Sequence, residues 1–472
     1  SSSSTGSGLA VSSSAHPRAK NDRVNQMAFM GDPLYRAINI HTLYGIAVVV
    51  SLYNFCHGKA WAHANAGIDS IDVIRDRSGT RIGLETTVGY LRSSDGETYE
   101  WNCHESVTQP DALITPRYAE NGEGVVLVVV GALDQARQQD ESVYRSMDGC
   151  NWKAPEGLTG HQVAEVAFDP KNGMNVIAAT ANDEGINRVL RSVDGGETWS
   201  ETELEVENRV FRSIRFSRGS ANTLWLTAVR YDTEEAWVYR STDGGISWSE
   251  HPIEVVSADG LDVYVDVLVA DDEDPNTAWI VMGPYVDDRL LKTTDGGETF
   301  TEVYALDGDI IDGAQDVDGG VWLVTTGNYV VYSADGDSFE RVDDAPLTIG
   351  IQTDGTQVFL ATRVPGEGTA MAVGTDARSF EAVDPFGLTT GPPACLPESD
   401  SVLACSPLWS DLADMIEGDG GEDTAVEVDT AEPDASESAT GCCSGDTKHS
   451  SAGLVFLALF GAGLRRKTGS KA

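Results

Sequence analysis

The sequence predicts an all-β protein, a seven-bladed β-propeller of four-stranded antiparallel blades with disordered N- and C-terminal tails. Three observations predict it. A phrase of the form Ser/Thr-x-Asp-Gly-x-x-aromatic recurs, as SVDGGETW at 192–199, STDGGISW at 241–248 and TTDGGETF at 293–300. Its aspartate falls at Asp95, Asp148, Asp194, Asp243, Asp295, Asp335 and Asp376, at intervals of 53, 46, 49, 52, 40 and 41 residues. Between recurrences the chain reads as short strands, with no amphipathic helix of useful length from 67 to 390. Strands repeated at such a period describe propeller blades, not helical solenoids.

In chain order, the first segments are addresses. Residues 1–26 form a Ser-rich leader, and the expected natural start is Met27 or Met30. Residues 27–66 read as a secretory signal peptide: Arg36, the apolar run LYGIAVVVSLYNF (43–55), then AWAHANA (60–66) with small residues placed for cleavage near Ala64 or Ala66. An uncleaved membrane anchor is the alternative. Cys56 leaves with this segment and, following Tyr53, Asn54 and Phe55, does not fit a lipoprotein processing site.

The propeller is expected over 67–390, and its third repeat shows the unit. VAEVAFDP (163–170) alternates, NVIAAT (175–180) is continuously apolar, and RVLRS (188–192) precedes the phrase, with TWSETEL (198–204) after it. The fourth repeat has VFRSIRFS (210–217), TLWLTAVR (223–230), WVYRS (237–241) and SWSEHPIE (247–254). Second strands are the most apolar throughout, as VVLVVVGA (125–132), AWIVMG (278–283), VWLVTTG (321–327) and VFLATR (358–363). The phrase thus occupies the hairpin between third and fourth strands. There Asp accepts N–H groups of its own turn, and Gly supplies a left-handed backbone. The aromatic residues Trp152, Trp199, Trp248, Phe300, Phe339 and Phe380 are expected to wedge between neighbouring sheets. A carboxylate so engaged is a poor acid or nucleophile, so the phrase is architecture. IDVIRD (71–76) and SFEAVD (379–384) serve as first and last strands, which lets the ring close without strand exchange.

The phrase resembles the Asp-box, or bacterial neuraminidase repeat, of sialidases, xyloglucan-active hydrolases, sortilin-type receptors and photosystem-assembly propellers. The third to fifth copies are nearly complete. The first lacks one Gly, the second carries Cys150, the sixth reads SADGDSF, and the seventh, GTDARSF, lacks the Gly after Asp376. The resemblance implies a propeller with the boxes at the blade periphery, away from any catalytic funnel. It implies little about function.

Composition narrows the partners. There are 32 Lys and Arg against 75 Asp and Glu, a net charge of −43, which repels phosphate backbones and excludes nucleic acid. Sialidase chemistry would need three converging arginines, a tyrosine nucleophile with its glutamate, and an aspartate acid. The nearest arginine motif, Arg363-Val364-Pro365, follows the sixth box, out of place. Another glycoside hydrolase would need two facing carboxylates. Asp262, Asp266, Asp271, Asp272, Asp274, Asp287, Asp309, Asp312 and Asp316 are available, with Tyr264, Tyr285 and Trp279 as aromatic platforms, but so acidic a chain supplies such pairs by chance. No catalytic residue is assigned. His104, His161 and His251 lack an evident partner carboxylate, and phosphate-cradling loops are missing. No cofactor is required. Calcium is the one ion that ADDEDPN (270–276) and DGDIIDGAQDVDGG (307–320) would favour, although neither is an EF-hand loop.

Export gives the body cysteines meaning. Cys395–Cys405 is the expected local disulfide and Cys103–Cys150 the second pair, with 391–415 forming a cap across one end of the ring. The acidic stretch 416–441 is a disordered linker. Residues 442–472 hold Cys442 and Cys443, the short apolar run SAGLVFLALFGAGL (451–464) and a basic end with Arg465 and Arg466. This arrangement resembles the C-terminal sorting tags of myxobacterial surface proteins, which implies retention at the cell surface or outer membrane; a plain C-terminal membrane anchor is the alternative. The expected whole is an exported, surface-held propeller binding a protein or glycan. A secreted glycoside hydrolase is the alternative.

Overall fold

The computed structural model describes residues 68–418, apart from 76–80, 109–115, 131–141, 183–184, 221, 231–232, 234, 255–263, 284–286, 355 and 377–378. The leader, signal peptide, most of the acidic linker, the sorting segment, Asp262 and Tyr285 lie outside the described residues.

Seven antiparallel sheets follow one another along the chain. Blade 1 is β1 to β4 (Ser70–Arg75, Ile82–Thr86, Gly89–Ser93, Glu100–Asn102), and blade 2 is β5 to β7 (Arg117–Glu120, Val126–Val129, Val143–Ser146). Blade 3 is β8 to β11 (Val163–Asp169, Asn172–Thr180, Ile186–Ser192, Ser200–Glu207), and blade 4 is β12 to β15 (Val210–Phe216, Leu224–Arg230, Glu235–Ser241, Ser249–Ile253). Blade 5 is β16 to β19 (Tyr264–Ala270, Ala278–Gly283, Asp288–Thr293, Thr301–Leu306), and blade 6 is β20 to β23 (Ile310–Gln315, Val321–Thr325, Tyr329–Ser333, Glu340–Arg341). Blade 7 is β24 to β27 (Thr348–Thr353, Val358–Thr362, Met371–Asp376, Ser379–Val383). The first strands of neighbouring blades touch, blade 7 against blade 1 included, so they form the inner wall of a closed ring. Among the described residues, no strand is exchanged to close it.

Blade 2 departs from the four-stranded pattern. Its outer strand is reduced to one bridge between Arg145 and Lys153. Two residues on stands Pro155, which has no N–H to continue the ladder.

Burial follows the strand order. The second strands β13, β17, β21 and β25 are buried almost without interruption, because both faces meet a neighbouring blade. Fourth strands such as β11 and β27 are mostly exposed. The core is divided into clusters, most of them joining one blade to the next: Ile177 and Ala179 of blade 3 pack with Phe211, Leu226 and Trp237 of blade 4.

After blade 7 the chain turns back along the outside of blade 1. Thr389 bridges in parallel to Tyr99, and Tyr99 and Trp101 donate N–H groups to the carbonyls of Leu388 and Gly391. The helices α2 (Asp400–Cys405) and α3 (Trp409–Gly418) then follow; the four-residue α1 (Val364–Glu367) lies earlier, between β25 and β26. Leu412 is fully buried against blade 1, and Trp409 lies 5.9 Å from the Trp101 ring. This segment is therefore an outer clasp, not a cap across an end of the ring.

The expected disulfides Cys395–Cys405 and Cys103–Cys150 do not form. The same four cysteines pair as Cys103–Cys405 and Cys150–Cys395, with Cα separations of 5.4 and 5.7 Å. The six-residue α2, a rise of about 9 Å, ends on Cys405 and separates it from Cys395. It sets Cys405 on the end of blade 1 and leaves Cys395 at the box turn of blade 2. Among the described residues, no helix is long and apolar enough to cross a membrane.

Candidate functional site

The recurrent aspartates are engaged locally. In the third box the Asp194 carboxylate accepts N–H groups of Glu197 and Thr198, both at 3.0 Å, and the Ser192 hydroxyl at 2.7 Å. Ser192 Oγ in turn accepts the Gly196 N–H at 2.8 Å. Asp95, Asp243, Asp295 and Asp335 repeat the pattern within their own turns. Asp148 accepts the Cys150 N–H at 2.8 Å. The Thr98 and Glu97 N–H groups hold the Asp95 carboxyl down at about 2, and the Thr299 hydroxyl and N–H do the same for Asp295. Asp376 ends β26, and the turn after it lies outside the described residues.

Each described box also touches its neighbour. A Cβ on Gly336, whose φ is +68°, would collide with the Trp279 ring of blade 5, and the Trp279 N–H bonds to the Gly336 carbonyl at 2.8 Å. Trp152, Trp199, Trp248, Phe300, Phe339 and Phe380 pack with residues of the preceding blade. The boxes lie beside the loops joining first and second strands, since Gly195, Gly244 and Gly296 donate to the carbonyls of Met174, Asn222 and Asn276. These carboxylates do not gather at a common cavity.

The functional question therefore moves to the inner wall. Six of the seven innermost strands carry a register shift, near the start in five and at mid-strand in β16. Such shifts re-aim side chains, and at these sites a polar group of one blade captures a backbone N–H of the next. Ser142 accepts Val163 (3.2 Å), Glu165 accepts Ile214 (2.8 Å) and Ser213 accepts Val267 (2.6 Å). Asp288 accepts Ile310 (2.7 Å) and Asp312 accepts Ile351 (2.8 Å). Glu85 accepts Tyr118 between blades 1 and 2, and Asp69 accepts Val364 (3.0 Å) between blades 1 and 7. Six junctions are stapled through an innermost-strand N–H; at the seventh the direction is reversed, Asp69 of blade 1 accepting from Val364 in α1 of blade 7.

Arginines complete the wall. Arg117 lies 3.4 Å from Asp72 and 3.2 Å from Glu85, Arg212 lies 2.9 Å from Asp266, and Arg215 pairs with Glu165. Burial, then the neighbouring Asp312 charge, pushes the Asp72 carboxyl well up, and burial raises Asp312 and Glu85 despite their arginines. Charges from blades 1, 2, 3, 4 and 6 thus feel one another across the ring. Nearer the box face, Arg218 of blade 4 bonds to Thr353 and, at 3.2 Å, to Gln352, both of blade 7.

The remaining acidic and aromatic residues are dispersed. Asp271 and Asp274 accept turn N–H groups, Asp272 accepts the Arg218 N–H, and Asp316 accepts Asp318, Gly320 and the Trp322 indole. Asp287 is exposed, and Trp279 is buried core. Arg363 pairs with Asp69 at 2.8 Å, bracing blade 7 against blade 1. His104 and His251 are buried, and His251 packs against Gly297. Tyr264 donates to Asp288, whose carboxyl burial pushes up to about 6 although the Tyr264 hydroxyl and the Ile310 N–H pull it down. Among the described residues, no three His, Cys, Asp or Glu side chains are grouped to hold a metal ion.

Sequence reasoning missed the junction staples Glu85, Ser142, Glu165, Ser213 and Asp288 and the arginines Arg117, Arg212 and Arg215. For Glu165, Ser213 and the arginines the one signal is a polar residue breaking the apolar pattern of a first strand, as in VAEVAF or VFRSIR; Glu85 lies on a second strand, and Ser142 and Asp288 lie at or just before the start of third strands, without such a signal.

The BNR/Asp-box repeat model matches residues 239–250. Those residues run from the end of β14 through the fourth box into β15. No curated protein matches the chain. Among solved structures, YCF48 bound to D1 peptide is 16% identical over 48% of this chain and 67% of that one, with a TM-score of 0.33. The GH74 enzyme of Niastella koreensis is 14% identical over 67% of this chain and 72% of its own, at 0.25. The extracellular domain of the putative hybrid two component system BT4673 from B. thetaiotaomicron is 12% identical over 70% of this chain and 40% of its own, at 0.46.

Proposed function

We propose that the chain is an exported, cell-surface propeller that binds a protein or glycan at a loop face without converting it. One observation carries this reading: most of the described carboxylates that a hydrolase could use are committed to the fold. Those of the boxes hold their own turns, and those of the inner wall hold neighbouring blades or arginines. A general acid or base must instead reach a substrate atom. Export is supported by two disulfides spanning 302 and 245 residues, which persist where the compartment is oxidising. The signal peptide at 27–66 would direct it outward. The stretch 416–441 and the tag at 442–472, with Cys442, Cys443, Arg465 and Arg466, would hold it at the surface. A net charge of −43 suits a basic or cation-bridged partner.

The test combines a glycan array, capture of surface proteins and a reducing-sugar assay on polysaccharides, all with the oxidised full chain. Binding without turnover is the expected result. One observation favours a glycoside hydrolase instead: Asp288 is held near 6, in the range of a general acid, beside Tyr264. Asp288 is, however, fully buried. Turnover that disappears in Asp288→Asn would displace the binding reading.

A further inference from the structure

The peptide chain itself crosses six of the seven blade junctions on its way from blade 1 to blade 7. Among the described residues, the junction of blade 7 with blade 1 has no such connection and no exchanged strand. What crosses it covalently is the clasp: from the end of β27 at Val383 the chain runs along β4 and is bonded through Cys405 to Cys103 and through Cys395 to Cys150. Two adjacent residues, Asp400 and Ser401, pin the clasp between those bonds. Ser401 is fully buried, its hydroxyl donates to the Gly149 carbonyl at 2.6 Å, and it accepts from Asn102 at 3.0 Å and the Trp152 indole at 3.1 Å. Asp400 accepts the Trp152 N–H at 2.9 Å, and the Ser401 N–H reaches the Cys150 carbonyl at 3.0 Å. The clasp therefore joins blade 7 to blades 1 and 2 together.

The two bonds differ in access. Cys103 and Cys405 are fully buried among Trp101, Phe386 and Leu412. Cys150 and Cys395 are only half-buried, and Leu396 beside them is 69% exposed. Thiol–disulfide exchange requires in-line approach of a thiolate to sulfur, so exposure orders the reactivity.

We propose that the clasp is a redox-operated lock on the ring, which it closes in place of an exchanged strand, and that its bonds open in a fixed order, Cys150–Cys395 before Cys103–Cys405. Locking converts four thiols to two disulfides, releasing four electrons and four protons to a disulfide-forming oxidant of the oxidising compartment. Unlocking is the reverse: for each bond a dithiol gives two electrons and two protons, leaves two cysteine thiols and becomes a cyclic disulfide. The first step releases the Cys395 end while Cys405 still spans the junction. Only the second removes the covalent link between blade 7 and blade 1.

The test uses the oxidised full chain titrated with dithiothreitol, with differential alkylation to time each bond and hydrogen exchange to read each blade. Cys150 and Cys395 should label at least about tenfold faster than Cys103 and Cys405. Loss of the first bond should leave exchange in β1 and β24 unchanged. Loss of the second should raise it by about a hundredfold in blades 1 and 7, with blades 3 to 5 unaffected. Cys150→Ser/Cys395→Ser should reproduce the first state. If Cys103→Ser/Cys405→Ser does not fold, reduction of the folded protein still supplies the second. Simultaneous or reversed opening would overturn the order. Unchanged exchange at the junction after full reduction, or a rise spread evenly over all blades, would overturn the lock.

Discussion

Asp194 and Asp288 put the same side chain in opposite surroundings. Partial burial pushes the Asp194 carboxyl up, but the Thr198 hydroxyl and N–H, with Ser192 and Glu197, outweigh it and hold it at about 2. Asp194→Ala removes those acceptors from an exposed turn. It should cost about 1–2 kcal/mol in denaturant unfolding, with binding at the loop faces unchanged. Asp288 is displaced the other way, from 3.8 to about 6, by burial. Its raised folded-state value means that the folded chain holds the proton more tightly than the unfolded one. The resulting stabilisation is complete below 3.8 and is lost as pH rises through about 6. Unfolding followed between about pH 7 and pH 4 should therefore show stability rising with acidity, with a smaller slope in Asp288→Asn. Asp72, Glu85 and Asp312 act with the same sign, so the variant reduces the slope without abolishing it. At lower pH the trend reverses. The depressed Asp95, Asp194 and Asp295 contribute stability that is present above their ordinary value and is lost as pH falls through about 2.

At the scale of the element, each innermost strand from β5 to β24 does two things: it pairs within its sheet, and it offers one N–H to the preceding blade. The Val267 N–H is served by Ser213 Oγ, which also meets Thr227 Oγ1 at 2.9 Å. Both hydroxyls are buried. Ser213→Ala strands the Val267 N–H away from water and should cost about 1–3 kcal/mol, whereas Ser213→Thr, which keeps an acceptor, should cost less. Hydrogen exchange at Val267 is the direct readout, and exchange no faster in the alanine variant would refute the staple. The hairpin boxes differ from these staples in being self-contained: a box forms from one short stretch of sequence, a staple only once two blades have met.

That difference governs how much of the whole molecule was legible in the sequence. The seven boxes, the buried second strands and the blade order are written locally, in turn chemistry and apolar runs such as TLWLTAVR, and the ring follows from them. The disulfide pairing was not legible. Four cysteines admit three connectivities, and the one that forms depends on a clasp laid over residues 302 and 245 positions away. The helices of the clasp were missed for the same reason, since Leu412 and Trp409 find their burial on blade 1 and not within their own segment. The inner-wall charges were visible as letters. Their roles were not, because Glu165 or Asp312 becomes a junction bond only when the next blade's register places an N–H before it.

Arg218 reaches from blade 4 to Thr353 and Gln352 on blade 7, like a spoke set across a rim. A strut between distant blades resists ovalisation, the softest deformation of any hoop. Loops carried by blades 4 and 7 would then keep their spacing whether or not a ligand is present. A partner touching both would sacrifice little conformational freedom of the receptor on docking, and a modest contact area could suffice for lasting attachment.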